Sequence, residues 1–185
     1  VEQMGQGPDL VMVHGWGMSG AVFDSVAREL AQHFCVHLVD LPGYGYSQQT
    51  PTGLDGIVES LVTALPARCH LLGWSLGGML ALLLAARYPQ RVQSLMTVAS
   101  SPRFVAEPGW PGTKPEVLTN FAAQLMSDSH KTVDRFLAIQ AMGSSTARDD
   151  VRRLRELVLA RPEASSEALL LGLSLLGDLD LRSDL

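Results

Sequence analysis

Residues 70–86, "HLLGWSLGGMLALLLAA", place a serine between glycines, after a short apolar run and before a long one. This pattern predicts a buried strand that leads directly into a buried helix. Gly73, Ser75 and Gly77 match G-x-S-x-G, a tight strand-to-helix turn that lifts a nucleophilic hydroxyl above the sheet. Ser75 is therefore the candidate nucleophile. The alternative is a serine that only caps the helix, but a cap does not need glycine on both sides.

Strands and helices alternate around this stretch. Apolar runs predict strands within residues 10–15, 35–40, 68–75 and 91–99, and helical spacing lies between them within residues 20–34, 54–66 and 76–89. The strands are apolar throughout, which is typical of a mostly parallel α/β sheet with helices on both faces. In such a sheet, the active site lies beyond the carboxyl ends of the strands.

The chain changes character after Pro102. A Pro/Gly-rich link is followed by amphipathic helical patterns within residues 116–126, 132–142, 146–160 and 165–176, without a convincing strand. We therefore interpret residues 1–103 as the N-terminal part of the α/β core, 104–180 as an inserted four-helix lid, and 181–185 as the start of the return to the core.

The "HGWG" of residues 14–17 follows the first predicted strand. Acyl transfer requires two backbone N–H groups directed at a tetrahedral oxyanion. We assign these donors to Leu76, which follows the nucleophile, and to Trp16 in this loop; the alternative is an ordinary tight turn. His14 precedes the loop and is expected to order it rather than to act as the base.

The glycine-rich "DLPGYGYS" of residues 40–47 resembles a phosphate loop only superficially. It lacks the lysine of G-x-x-x-x-G-K-[ST], and we interpret it as a structural loop at the rim of the site.

Composition excludes several classes of protein. The net charge is −5, whereas nucleic-acid binding needs a basic surface. The longest apolar run, residues 79–86, is too short to span a bilayer, and a secretory signal is not evident. Cys35 and Cys69 are expected to be buried, reduced thiols of a cytoplasmic protein, with a disulfide or redox pair as the alternative. The Cys/His spacing does not suggest a metal site, and we expect neither a metal nor a cofactor.

Five segments carry a closer resemblance: "HLVDLPGYGYS", "LLGWSLGG", "VASSPRF", "WPGTKPEVL" and "TVDRFLAIQAMG". Together they resemble the α/β-hydrolase superfamily and, within it, the pimeloyl-[acyl-carrier protein] methyl ester carboxylesterases of biotin synthesis. The resemblance implies a monomeric, cofactor-independent Ser-Asp-His esterase with a four-helix lid. Its expected reaction removes the methyl group from a pimeloyl ester carried on acyl-carrier protein.

The same resemblance assigns Phe136 and Gln140 to the wall of the acyl pocket. The two residues are four positions apart on one predicted helical face, so that an apolar wall carries one polar group. The alternative is an ordinary face of a lid helix.

A local basic face stands out in this acidic chain. Arginines recur on one stripe of the third lid helix, and two further basic residues lie one helix earlier. Such a face suits an acidic partner such as a carrier protein; the alternative is a solvated face with pairs along the helix. The predicted docking residues are Lys131, Arg135, Arg148 and Arg152.

The catalytic base and its orienting acid are missing from the expected places. In this fold the triad runs Ser, Asp or Glu, His along the chain, but the only histidine after Ser75 is His130, in the lid. Asp178, Asp180 and Asp184 precede the strand that would carry the acid. We therefore expect the triad Asp and His to lie in a further C-terminal segment, and residues 1–185 alone to have little activity.

Two alternative functions remain open from the sequence. One is a broader short-chain carboxylesterase or thioesterase. The other is a non-catalytic fragment that binds the carrier protein without turnover.

Overall fold

A five-stranded sheet lies at the centre of the computed structural model, which describes residues 1–50 and 52–184. The strand order is β1-β3-β2-β4-β5, and every pairing is parallel except that of β1 with β3. The strands are β1 Glu2–Met4, β2 Asp9–Val13, β3 Cys35–Val39, β4 Cys69–Trp74 and β5 Val92–Val98. The four predicted strands are confirmed, whereas β1 was missed because it has three residues and no apolar pattern.

Helices cover both faces of the sheet, as predicted. A short 3₁₀ helix, Gly20–Phe23, and α1, Asp24–Leu30, pack on one face. On the other face lie α2, Gly53–Ala64, and α3, Leu76–Arg87. Eight of the twelve residues of α3 are buried, which explains why its sequence is apolar nearly all round.

Four helices follow, where the sequence predicts helices. They are α4 Pro115–Ser127, α5 Ser129–Gln140, α6 Ala147–Leu159 and α7 Ser166–Asp178. The start of α5 is earlier than predicted because Asp128 caps it, its carboxylate accepting the Lys131 N–H at 3.0 Å.

The segment that contains these helices leaves and returns at one place. Arg103 and Asp180 form an antiparallel bridge and an ion pair at 2.9 Å. The Leu181 N–H donates to the Pro102 carbonyl at 2.9 Å. A segment whose two ends lie side by side can be inserted without disturbing the sheet.

Three surface and core features complete the fold. Among the described residues, β5 forms an edge of the sheet, with Met96 60% and Val98 44% exposed. Cys35 and Cys69 are buried free thiols, as predicted. Because β2 lies between their strands, β3 and β4 are about 10 Å apart, which is too far for a disulfide. None of the described helices has the length and apolar character of a membrane span.

Candidate active site

Ser75 lies at the junction of β4 and α3 in a strained backbone conformation. Its φ is 54° and its ψ is −118°, a region that L-residues rarely adopt. Its side chain makes no capping hydrogen bond to α3, which argues against the cap alternative. Ser75 is partly exposed, and the turn does not use its hydroxyl to stabilise the helix.

The neighbouring glycines make this turn possible. A Cβ on Gly73 would clash with the backbone of Gly77, and a Cβ on Gly77 would clash with the carbonyl of Val13. A side chain at Gly73 would therefore push the start of α3 away, and one at Gly77 would displace the turn from the end of β2, so a Cβ at either position crowds the turn, as the sequence indicated.

Hydrogen bonds hold the turn on both sides. The Ser75 N–H donates to the Val98 carbonyl at 2.9 Å, and the Ser75 carbonyl accepts from the Gly78 N–H at 2.9 Å. The Ser100 hydroxyl donates to the same carbonyl at 2.8 Å. Val98 of β5, Gly78 of α3 and Ser100 just after β5 thus fix the Ser75 backbone.

The loop after β2 passes directly beside the nucleophile. A Cβ placed on Gly15 would lie 3.2 Å from Ser75 Cβ and 3.8 Å from Ser75 Oγ, so only glycine allows this approach without displacement. Trp16 follows Gly15 and Leu76 follows Ser75. The two predicted N–H donors therefore lie next to this close contact. Leu76 is the first residue of α3, where N–H groups lack partners within the helix.

His14 orders this loop from behind. The Leu41 N–H donates to His14 Nε2 at 3.0 Å, so the proton is on Nδ1, which donates to the Gly15 carbonyl at 2.8 Å. In a trans peptide the carbonyl and the next N–H point in opposite directions, so this bond also sets the direction of the Trp16 N–H. Both ring nitrogens are engaged, as expected of an ordering residue rather than a base.

The environment of His14 keeps its ring neutral. The residue is fully buried, and this burial lowers its pKa to about 4. The bond to the Gly15 carbonyl and the charge of Asp40 oppose this shift without cancelling it.

Aromatic side chains of α4 and α5 cover the loop. The Trp16 indole N–H donates to the Leu169 carbonyl of α7 at 2.7 Å. Its ring packs edge-on against Phe136 at 4.9 Å and Phe121 at 6.3 Å between centroids. Phe136 and Gln140 line a narrow crevice together with Ser75, so the structure brings both predicted acyl-pocket residues to the nucleophile.

The "DLPGYGYS" loop has the structural role that the sequence predicts. Asp40 accepts the N–H groups of Gly20 at 2.7 Å and Tyr46 at 2.9 Å, and it pairs with Arg161 at 2.8 Å. Burial alone would raise the pKa of Asp40, but these donors outweigh burial and hold it below its ordinary value. The Tyr44 hydroxyl donates to the Ala168 carbonyl of α7 at 3.0 Å. Sequence reasoning missed Arg161, because a single arginine after a helix has no pattern.

The four predicted docking residues lie on α5 and α6, and several of them have neighbours of their own. Lys131 pairs with Asp128 at 3.2 Å, and Arg152 pairs with Asp149 at 3.0 Å. Arg135 donates to Gln124 at 2.9 Å, and Arg148 is exposed. The ion pairs of Lys131 and Arg152 each join residues three positions apart, as on a solvated face with pairs along the helix.

The other candidate acids and bases have different partners. His130, on α5, pairs with Glu163 at 3.0 Å at the protein surface. Asp180 lies between Arg182 and Arg103, and the hydrogen bond from Arg182 holds its pKa far below the usual range. Among the described residues that line the crevice, none is a histidine.

Comparisons with known proteins agree with this geometry. A family model described as the alpha/beta hydrolase fold matches residues 8–168. A pimeloyl-[acyl-carrier protein] methyl ester esterase from Aeromonas salmonicida is 53% identical over 188 residues, which cover 100% of this chain and 74% of that protein. The chain belongs to this esterase group of the α/β-hydrolase family.

A further relative and a solved structure agree with this family assignment. A protein of the same name from Vibrio parahaemolyticus is 50% identical, over 100% of this chain and 72% of its own length. An esterase from Exiguobacterium antarcticum has a similar fold, with a TM-score of 0.87 and 24% identity over 100% of this chain and 71% of its own. The fold predicted from the sequence is thereby confirmed.

Proposed function

We propose that this esterase hydrolyses the methyl ester of pimeloyl-[acyl-carrier protein] in biotin synthesis, with Ser75 as the nucleophile. The observation that carries the proposal is the strained turn at Ser75, beside the loop of Gly15 and Trp16 and under Phe136 of the lid. The names of the relatives at 50–53% identity indicate which substrate to propose.

The chemistry follows from the placement of these groups. Ser75 Oγ attacks the ester carbonyl carbon while a base takes its proton, and the N–H groups of Trp16 and Leu76 stabilise the oxyanion. The C–O bond to the methoxy group then breaks, and the proton goes to the departing methanol. Water attacks the acyl-enzyme and releases the free acid, with the proton returned to Ser75.

Phe136 and Gln140 shape the acyl side of this site. Phe136 is held edge-on against the buried Trp16 ring, so the acyl chain meets a rigid apolar wall. The Gln140 amide is the polar group of the same helical face and can bond a carbonyl of the substrate.

The base and its acid come, in this proposal, from residues after 185. The relatives are longer than this chain, which covers 74% and 72% of two of them. The edge of β5 and its exposed Met96 and Val98 offer a place for further strands beside Ser75. We therefore propose that residues 1–103 form the core, residues 104–180 the inserted lid and residues 181–185 the start of the return to the core.

The lid also supplies the surface for the carrier protein. Lys131 and Arg135 lie on α5, the helix that also carries Phe136 and Gln140, and Arg148 and Arg152 lie on the following helix, α6. A basic face here attracts an acidic carrier and directs its acyl chain toward the crevice. In this proposal the protein acts as a monomer in the cytoplasm, and the two free thiols support the cytoplasmic location.

Replacement of the nucleophile gives the decisive test. With the whole protein, Ser75→Ala should reduce kcat on the pimeloyl ester about 10⁶-fold and prevent labelling by a fluorophosphonate. Ser94→Ala, at the opposite end of β5, is the control and should keep both activity and labelling. Esterase activity that persists in Ser75→Ala would contradict the proposal.

Charge reversal on the lid separates the carrier from the ester. Arg148→Glu together with Arg152→Glu should raise KM for the carrier-bound ester roughly tenfold, as loss of about 1.4 kcal/mol requires. Hydrolysis of a free methyl ester should not change. Arg28→Glu, on α1 at the other face of the sheet, is the control. Equal loss on both substrates would favour the broader esterase.

A further inference from the structure

Four polar side chains meet at the opposite end of the sheet from Ser75. Cys35 and His37 are two residues apart on β3 and therefore point to the same face. The register places Asp9 of β2 opposite Cys35, and Gln3 of β1 opposite His37. Sheet pairing thus brings residues from three strands together, which no spacing along the sequence reveals.

The distances within this cluster are short. His37 Nε2 lies 2.6 Å from Asp9 Oδ1 and 3.6 Å from Cys35 Sγ. The Asp9, Cys35 and His37 ligand atoms all lie within 4.8 Å of one another. The Gln3 amide donates to Cys35 Sγ at 2.7 Å.

The donor set selects a class of cation. Thiolate, imidazole and carboxylate are the ligands of Zn²⁺, at bonds of roughly 2.0–2.3 Å in a tetrahedron. Two such ligands stand about 3.3–3.6 Å apart, and the Cys35–His37 distance of 3.6 Å already fits. The Asp9–His37 contact has to open by under about 1 Å to admit the ion. Magnesium and calcium prefer oxygen ligands and do not suit this set.

Burial at the site is graded. Cys35 is 8% exposed and the His37 side chain 11%, whereas the Asp9 side chain is 35% exposed. An ion can therefore enter from the Asp9 side and then lie against two protected ligands.

The geometry points to a Zn²⁺-class site formed by Asp9, Cys35 and His37, which nothing in the esterase chemistry requires. On binding, the Cys35 thiol releases its proton and forms a metal–sulfur bond. The proton on His37 Nε2, which bonds Asp9 Oδ1 in the metal-free protein, transfers to Nδ1 so that Nε2 can bind the ion, and the Asp9 carboxylate exchanges its bond with the ring for the metal. A water, or the Gln3 amide oxygen after rotation, completes the four ligands.

The ion would link neighbouring strands at the edge of the sheet. Asp9 and Cys35 begin β2 and β3, and Gln3 lies in the three-residue β1, which pairs with β3. A bond shared by these strands stabilises the fold by its binding energy without touching the crevice of Ser75.

The test is a Co²⁺ titration of the reduced, chelator-treated protein, followed by competition with Zn²⁺. One equivalent should produce visible d–d bands and a near-ultraviolet thiolate-to-cobalt band, and Zn²⁺ should remove both. Zn²⁺ should also raise Tm. Cys35→Ser should lose the thiolate band, and Asp9→Asn should bind Zn²⁺ at least about tenfold more weakly, since loss of an outer partner alone costs that much.

Cys69→Ser is the matched control, because Cys69 is the other buried thiol and begins the neighbouring β4. This variant should keep the full spectrum. The absence of saturable Co²⁺ binding, or a thiolate band that survives in Cys35→Ser and disappears in Cys69→Ser, would overturn the site. If Cys35→Ser does not fold by circular dichroism, unchanged Zn²⁺ affinity in folded Asp9→Asn overturns it.

Discussion

The turn at Ser75 and the lid helix α6 differ in how many kinds of side chain their positions can accommodate. At the turn, a single added carbon on Gly73 or Gly77 meets the backbone of a neighbour. In α6, none of the described residues is buried, and two of its arginines, Arg152 and Arg155, form ion pairs at the surface. The chemical step needs a fixed geometry, whereas recognition of a partner uses an exposed surface that can vary.

A pair of glycine substitutions tests this difference most strongly. Gly77→Ala places a Cβ against the carbonyls of Val13 and His14 and should cost more than about 4 kcal/mol of unfolding free energy. Gly177→Ala in α7 meets only Leu118 Cδ1 at 3.6 Å and should change stability by less than about 1 kcal/mol, with a gain expected from helix propensity. Urea denaturation measures both.

If Gly77→Ala unfolds no more easily than Gly177→Ala, the turn has more freedom than its contacts imply. A folded Gly77→Ala protein should still show a changed reaction with fluorophosphonate, because the turn that carries Ser75 has moved.

The turn was predictable because all its requirements are local. Gly73, Ser75 and Gly77 lie within five residues, and the apolar runs on either side define the strand and the helix. The loop of His14 was predictable for the same reason. The roles of Phe136 and Gln140 came from the family resemblance, since helical spacing alone does not tell which face of a lid helix meets the core.

Contacts between distant segments were not predictable. Arg161 follows α6 and forms an ion pair with Asp40, 121 residues away. The metal-type cluster depends on the register of three strands, which a single sequence does not specify. In each case the fold determines which partners the polar residue contacts.

The Arg161–Asp40 pair connects the end of α6 to the core and can be compared with a pair inside the lid. Their side chains are 5% and 4% exposed, against 48% and 49% for Arg155 and Asp134. Arg161→Met should cost roughly 3–5 kcal/mol because it leaves the Asp40 charge buried, whereas Arg155→Met should cost at most about 1 kcal/mol. Chemical denaturation of the two variants measures the ratio.

The double variant Asp40→Asn with Arg161→Met isolates the cause. It should regain part of the stability lost in Arg161→Met, because the uncompensated charge is gone. Equal losses from Arg161→Met and Arg155→Met would show that burial does not distinguish the two pairs.

The smallest of the three effects concerns pH. His14 is buried with a pKa of about 4, while an unfolded histidine has a pKa of about 6.5. Below pH 6.5 the unfolded chain binds more protons than the folded one, so stability is complete above pH 6.5 and falls as the pH drops toward 4. A shift of this size corresponds to up to about 3 kcal/mol.

His14→Gln removes this dependence, because glutamine can keep both hydrogen bonds and does not titrate in this range. Its unfolding free energy should therefore vary less between pH 6.5 and pH 4 than that of the unchanged protein. The control is His130→Gln, which removes an exposed lid histidine and should keep the slope of the unchanged protein. If His14→Gln keeps that slope and His130→Gln loses it, the pH sensitivity resides in the lid, and the contrast between a fixed core and a variable lid fails for protonation.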